Sequence, residues 1–352
     1  MTDTVTHPFA LALEAWYADH RRDLPWRGTR DPYRVWVSEI ILQQTRVAQG
    51  YDYYRRFMER FPTVRDLAAA TEDDVLRAWQ GLGYYSRARN LHAAARAVVA
   101  QGGFPRDYAG VRTLRGVGDY TAAAICSIAY DQPYAVVDGN VYRVLARYLG
   151  LDTPIDTTAG RRRFAEAADA LLDRRRPGLY NQAVMDFGAL QCTPRSPHCD
   201  GCPLAAGCQA LQAGRVDELP VKARRTQVAE RFLAYIYINV QGNVLLHRRG
   251  VGDIWAGLYE PLLLEFDHRP TEPEVLASPA VAVLGAERGT WRCVARDVRH
   301  VLTHRVLRAD FYALTLPRLD RVPEGFVSVP EPSRADYAVP RLVSLLYERL
   351  SR

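Results

Sequence analysis

The stretch Leu114-Arg115-Gly116-Val117-Gly118-Asp119-Tyr120-Thr121-Ala122 sets two glycines just ahead of an apolar run, Ala122 to Tyr130. Glycine reaches backbone conformations closed to other residues, so Gly116 and Gly118 suit a turn that points N–H groups outward at a helix N-terminus, where a phosphate can be held. An ordinary glycine turn between two helices has the same local pattern, and the stretch alone does not choose between the two. Its surroundings do. Downstream, Val136-Val137-Asp138-Gly139-Asn140-Val141 places a carboxylate in an apolar run at a helix start. Further on, four of the six cysteines fall within 17 residues as Cys192-x6-Cys199-x2-Cys202-x5-Cys208.

That cysteine spacing predicts one compact loop wrapped around a [4Fe-4S] cluster held by four thiolates. The alternative, a tetrahedral zinc site, usually shows two C-x2-C pairs, and here Cys199 and Cys202 form a single pair. A disulfide framework needs an oxidising compartment, but the N-terminal stretch lacks a basic segment followed by an apolar run and a small-residue cleavage site. The expectation is a cytoplasmic, nucleoid-associated protein.

The chain has 352 residues, 48% of them hydrophobic, enough for more than one core. No apolar run approaches the ~18 residues of a membrane span, so no membrane partner is expected. The net charge of +6 is concentrated early: residues 1–225 carry 30 basic and 25 acidic side chains, residues 226–352 carry 16 and 15. A basic excess fits contact with phosphates, although a solvated surface has the same signature. Of the 46 basic residues only Lys222 is a lysine, which restricts amine chemistry.

Through about residue 211 apolar residues recur at helical spacing, as in Val75, Leu76 and Trp79 or Leu91, Ala94, Ala95 and Val98, and Thr71 with Asp74 reads as a helix start. After Val228 short β-rich runs take over: Phe232 to Val240, Val244 to His247, His304 to Leu316 and Phe326 to Val329, closed by a helix from Arg341 to Leu350. Ala213 to Gln227 is polar and aperiodic. The expected organisation is an all-α domain over 1–212 (hairpin 113–122, iron–sulfur loop 192–208), a linker over 213–228, and an α+β domain over 229–352.

A helix–hairpin–helix, an aspartate some twenty residues on and a four-cysteine loop, in that order, resemble the endonuclease III-like DNA glycosylase superfamily. Within it, Leu24-Pro25-Trp26-Arg27, Val37-Ser38-Glu39-Ile40-Ile41-Leu42-Gln43-Gln44-Thr45 and Gly81-Leu82-Gly83-Tyr84-Tyr85 are similar to the adenine DNA glycosylases, which act on adenine opposite 8-oxoguanine or guanine in double-stranded DNA. Breaking an N-glycosidic bond leaves positive charge on the sugar and negative charge on the base, so an acid and an anion are both needed. The resemblance assigns the acid to Glu39 and the anion to Asp138, with Tyr120 and Asn140 supporting them. The apolar neighbours of Glu39 should raise its pKa.

By the same resemblance, Trp26, Arg27, Leu42 and Gln182 line the adenine pocket, Gln44 and Tyr84 wedge the opened stack, and Gly116 and Gly118 meet backbone phosphate. Lyase-type relatives carry a hairpin lysine where this chain has Tyr120, which implies a monofunctional glycosylase. The second half resembles a Nudix-like domain that reads 8-oxoguanine, with Leu302, Thr303 and His304 at the positions of the recognition triplet. The triplet's aromatic residue is replaced by Leu302 and its serine by Thr303. Base flipping needs one copy, so a monomer is expected.

Overall fold

In the computed structural model, which describes residues 6–223 and 228–351, the first part of the chain forms α1 (Pro8–His20), α2 (Pro32–Leu42), α3 (Val47–Arg60), α4 (Val64–Ala69), α5 (Glu72–Ala78), α6 (Ser86–Ala100), α7 (Tyr108–Thr113), α8 (Asp119–Tyr130), α9 (Gly139–Tyr148), α10 (Thr158–Leu171), α11 (Pro177–Leu190) and α12 (Gln209–Gln212). Side-chain caps set many of the starts. Asp31 accepts from Tyr33 N ahead of Pro32, Asp107 from Gly110 N, Asp138 from Asn140 and Val141 N, and Thr157 from Gly160 N.

Two compact units emerge, residues 1–69 with 90–225, and 70–89 with 226–352. The division differs from a single cut after residue 212, because 70–89 groups with the later part of the chain. The presumed linker is also not a free tether over its first half. Leu219 is buried, Arg147 Nε donates to the carbonyls of Val216 and Leu219, and Ile155 N donates to Val221 O. Residues 224–227 of that linker lie outside the described residues.

In the first unit α11 is central: α1, α8 and α9 pack on it, and α2 packs on α8. Gly188 lets α9 approach, since a Cβ there would lie 2.7 Å from Asn140 Cβ. Buried Asn181 pins the segment between α8 and α9, donating to Ser127 Oγ and Tyr134 O and accepting from Val136 N. This delivers Asp138 to the start of α9. At the hairpin, Gly116 sits at φ +80° with Asn90 2.8 Å from where a Cβ would be, so glycine is required on both counts.

The second unit carries a mixed seven-stranded sheet of β1 (Ala229–Val240), β2 (Asn243–Arg248), β3 (Tyr259–Glu260), β4 (Leu262–Phe266), β5 (Thr290–Val301), β6 (Arg305–Leu316) and β7 (Phe326–Pro330). Strands β1 and β6 run parallel in the middle, β5 lies antiparallel on β6, and β2 and β4 both pair with β1. One face is covered around Val339, Leu342, Val343 and Leu346 of the C-terminal segment and its helix, Arg341–Leu350; the other packs on Val275, Val281 and Leu284. The whole is a helical domain followed by an α+β Nudix-like sheet domain. His304, expected to open a strand, instead sits in the β5–β6 turn, because pairing with β5 begins only at Val306.

Candidate active site

A cavity of about 380 Å³ opens in the helical unit between the end of α2, the start of α8, the start of α9 and the segment after α1. It is lined by Glu39, Tyr120, Asp138 and Asn140, and also by Trp26, Arg27, Leu42 and Gln44. Eight sequence-predicted residues, scattered over more than a hundred positions, therefore share one wall system.

Glu39 is 7% exposed and accepts a 2.6 Å hydrogen bond at Oε2 from the Tyr120 hydroxyl. Burial pushes its carboxyl above the usual carboxylate range, and nearby Asp138 adds to this; the Tyr120 bond and the Arg27 cation pull the other way without cancelling it. A carboxyl whose protonated form is favoured by burial beside an open cavity is suited to proton donation. Burial, with Glu39 next to it, pushes Tyr120 well up, so its hydroxyl stays a donor at neutral pH.

Asp138 is half-buried and caps α9. Its Oδ1 accepts from the N–H groups of Asn140 (2.9 Å) and Val141 (2.7 Å), and its Oδ2 from Asn140 Nδ2 (2.9 Å). Burial raises its pKa; these three bonds and Arg143 oppose the rise. Asn140 is in turn oriented by Arg143, whose Nη2 reaches its Oδ1 at 2.9 Å while Nε donates to Cys192 O at 2.7 Å. One guanidinium thus connects the cysteine loop to the carboxylate's support.

Gln182 is not brought to this cavity. Its Oε1 accepts from the Tyr17 hydroxyl at 3.1 Å, which holds it beside a neighbouring cavity of about 460 Å³ that shares Arg22 and Arg27. Gln44 and Tyr84 both adopt left-handed backbone, φ +56° and +48°, and point outward, Tyr84 being 47% exposed. In the second unit the Tyr84 and Thr303 hydroxyls are hydrogen-bonded to each other. Leu302 packs on the sheet core, while Thr303 and His304 are exposed at the turn. Gly118 caps α8, directly after the Gly116 turn.

Four site residues escaped the sequence reading: Arg22, Met185, Asp186 and Arg143. Met185 lines the cavity and its sulfur accepts from Tyr120. Asp186 lies in Ala183-Val184-Met185-Asp186-Phe187, the same carboxylate-in-apolar-run signal that singled out Asp138.

Cys192, Cys199, Cys202 and Cys208 border a common cavity. Burial and the neighbouring thiols push the Cys199 and Cys202 thiols up, so their thiolate forms call for a bound cation. Arg147 Nη1 lies 3.4 Å from Cys192 Sγ. The loop would hold a four-thiolate iron–sulfur cluster.

Residues 37–168 match the model of the HhH-GPD superfamily of base excision DNA repair proteins, 192–208 the iron–sulfur binding domain of endonuclease III, and 233–349 the NUDIX domain. The fold is similar to a thermostable thymine-DNA glycosylase (30% identity, TM-score 0.54, over 58% of this chain and 95% of that one). Adenine DNA glycosylase of Rattus norvegicus is 45% identical over 60% of this chain and 44% of its own length, so the chain spans about half the length of the mammalian relatives it matches. That of Buchnera aphidicola subsp. Schizaphis graminum is 32% identical over 71% of this chain and 72% of its own length. With its hairpin, its cysteine loop and a carboxylate pair at one cavity, the chain belongs to the adenine DNA glycosylase family.

Proposed function

We propose that this protein hydrolyses the N-glycosidic bond of adenine mispaired with 8-oxoguanine or guanine in duplex DNA. The observation that carries the reading is that buried Glu39 and the helix-capping Asp138 share one cavity. The extruded adenine enters between Trp26, Arg27 and Leu42. Glu39 protonates the base, making it a better leaving group, and its carboxylate then receives a proton from the attacking water. Asp138, fixed by three hydrogen bonds, stabilises the oxocarbenium-like sugar.

Gln44 and Tyr84 prop the opened duplex, Gly116 and Gly118 meet its backbone, and Leu302, Thr303 and His304 face the opposite base. The cysteine loop, with exposed Arg195, presents charge to phosphate. Tyr120 stands where an amine nucleophile would be needed for strand cleavage, and Lys222 is exposed and does not line the cavity. The reaction therefore ends at an abasic site, and a single copy carries it out.

Single-turnover reactions on duplexes with A opposite 8-oxoguanine, G or T, developed with alkali, test the reading. Adenine release from the first two and not the third is expected. No release from any overturns it, and a stoichiometric borohydride-trapped adduct overturns the monofunctional mechanism.

A further inference from the structure

Asp186 is completely buried on α11 and does not line the catalytic cavity. Its Oδ1 accepts from Arg22 Nη2 at 2.5 Å and from Arg27 Nη2 at 2.9 Å, and its Oδ2 accepts from the Arg22 backbone N–H at 3.4 Å. Both arginines line the cavity, and among the described residues the buried Nε of each has no hydrogen-bond partner. One carboxylate thus grips two guanidinium groups of the cavity wall by their far ends.

We infer that Asp186 is a positioning residue for base excision, holding Arg22 and Arg27 in the cavity wall and offsetting their charge beside Glu39. The inference rests on the glycosylase reading above. With Asp186 neutralised, a less compensated Arg27 would favour the Glu39 carboxylate over the acid. The charged and titratable groups that face Glu39 are Arg27 after α1, Tyr120 on α8 and Asp138 at α9, and among these Arg27 is the one Asp186 holds.

The test is the pH profile of single-turnover adenine release by the full chain carrying its cluster. Asp186→Asn keeps the acceptor and removes the charge, so the alkaline descending limb should move to lower pH. Arg22→Gln leaves Asp186 to offset Arg27 alone and should move the limb to higher pH. The double variant should return it toward wild type, a compensation that lost packing does not produce. Retention of the iron–sulfur chromophore checks folding, and if Asp186→Asn loses it, the sign of the Arg22→Gln shift decides. An unmoved limb in folded variants, or shifts of the same sign, overturns the inference while wild-type release keeps the glycosylase reading intact. Absence of wild-type release overturns that reading instead.

Discussion

Replacing Tyr120 with Phe removes one hydroxyl and keeps the ring. The deleted bond is the 2.6 Å donation to Glu39 Oε2, and it stabilises the ionised form of Glu39. A hydrogen bond to a charged group is worth about 1.5–3 kcal/mol, more than one to a neutral group, so losing it raises the Glu39 pKa further. The rate depends on the protonated acid, so it falls as pH passes above that pKa. The descending limb of single-turnover adenine release therefore moves to higher pH in Tyr120→Phe. The position of the limb is the readout, since the rate at its plateau also reflects how well Glu39 is aimed. Stability follows the same sign. Folded Glu39 keeps a proton that the unfolded chain has released, so its burial weakens the fold as pH rises from the unfolded value through the folded one, and the variant widens that window. A limb that stays in place or moves to lower pH would falsify the assignment of Glu39 as the acid tuned by Tyr120.

Asp138→Asn should separate capping from catalysis: Asn caps as well as Asp, so stability by denaturant melts changes by less than about 1 kcal/mol, while release falls by about 10²-fold or more as the anion is lost. Gly188→Ala places a Cβ 2.7 Å from Asn140 Cβ and 3.0 Å from its carbonyl; the expected cost is about 1–3 kcal/mol, with slower release because α9 carries Asp138, and unchanged melting with normal release would contradict the close packing. Cys202→Ala removes one of four thiolates, and iron content, the cluster's absorbance and duplex affinity should fall together.

Legibility in the sequence followed local physics. Asp138 could be read because a capping carboxylate before a helix in an apolar run is a short-range signal, and the structure has it accepting from both Asn140 and Val141 N–H groups. The helix Arg341–Leu350 was legible from its periodicity. Strand β5 was not, since half of its residues are exposed, only Val298 is fully buried, and two irregularities, one at Asp297 with φ +53°, break the two-residue period. Strand β4 was too short to stand out beside the apolar Leu258–Leu264 stretch. Asp186 shares the local signal of Asp138, but its arginine partners lie about 160 residues earlier, and the grouping of 70–89 with the second unit depends on tertiary packing; neither of these leaves a local mark. The family resemblance makes Gln182 a pocket residue, yet the Tyr17 hydroxyl claims its amide oxygen.

The most direct test of the central claim compares wild type with Glu39→Gln on one duplex bearing A opposite 8-oxoguanine, measuring affinity and adenine release in parallel. The substitution preserves shape and removes the proton donor. Affinity within about threefold and release lower by about 10²–10⁴-fold, the usual contribution of a positioned acid, is the predicted result. Release within about tenfold of wild type would contradict the assignment of Glu39 as the acid of this cavity.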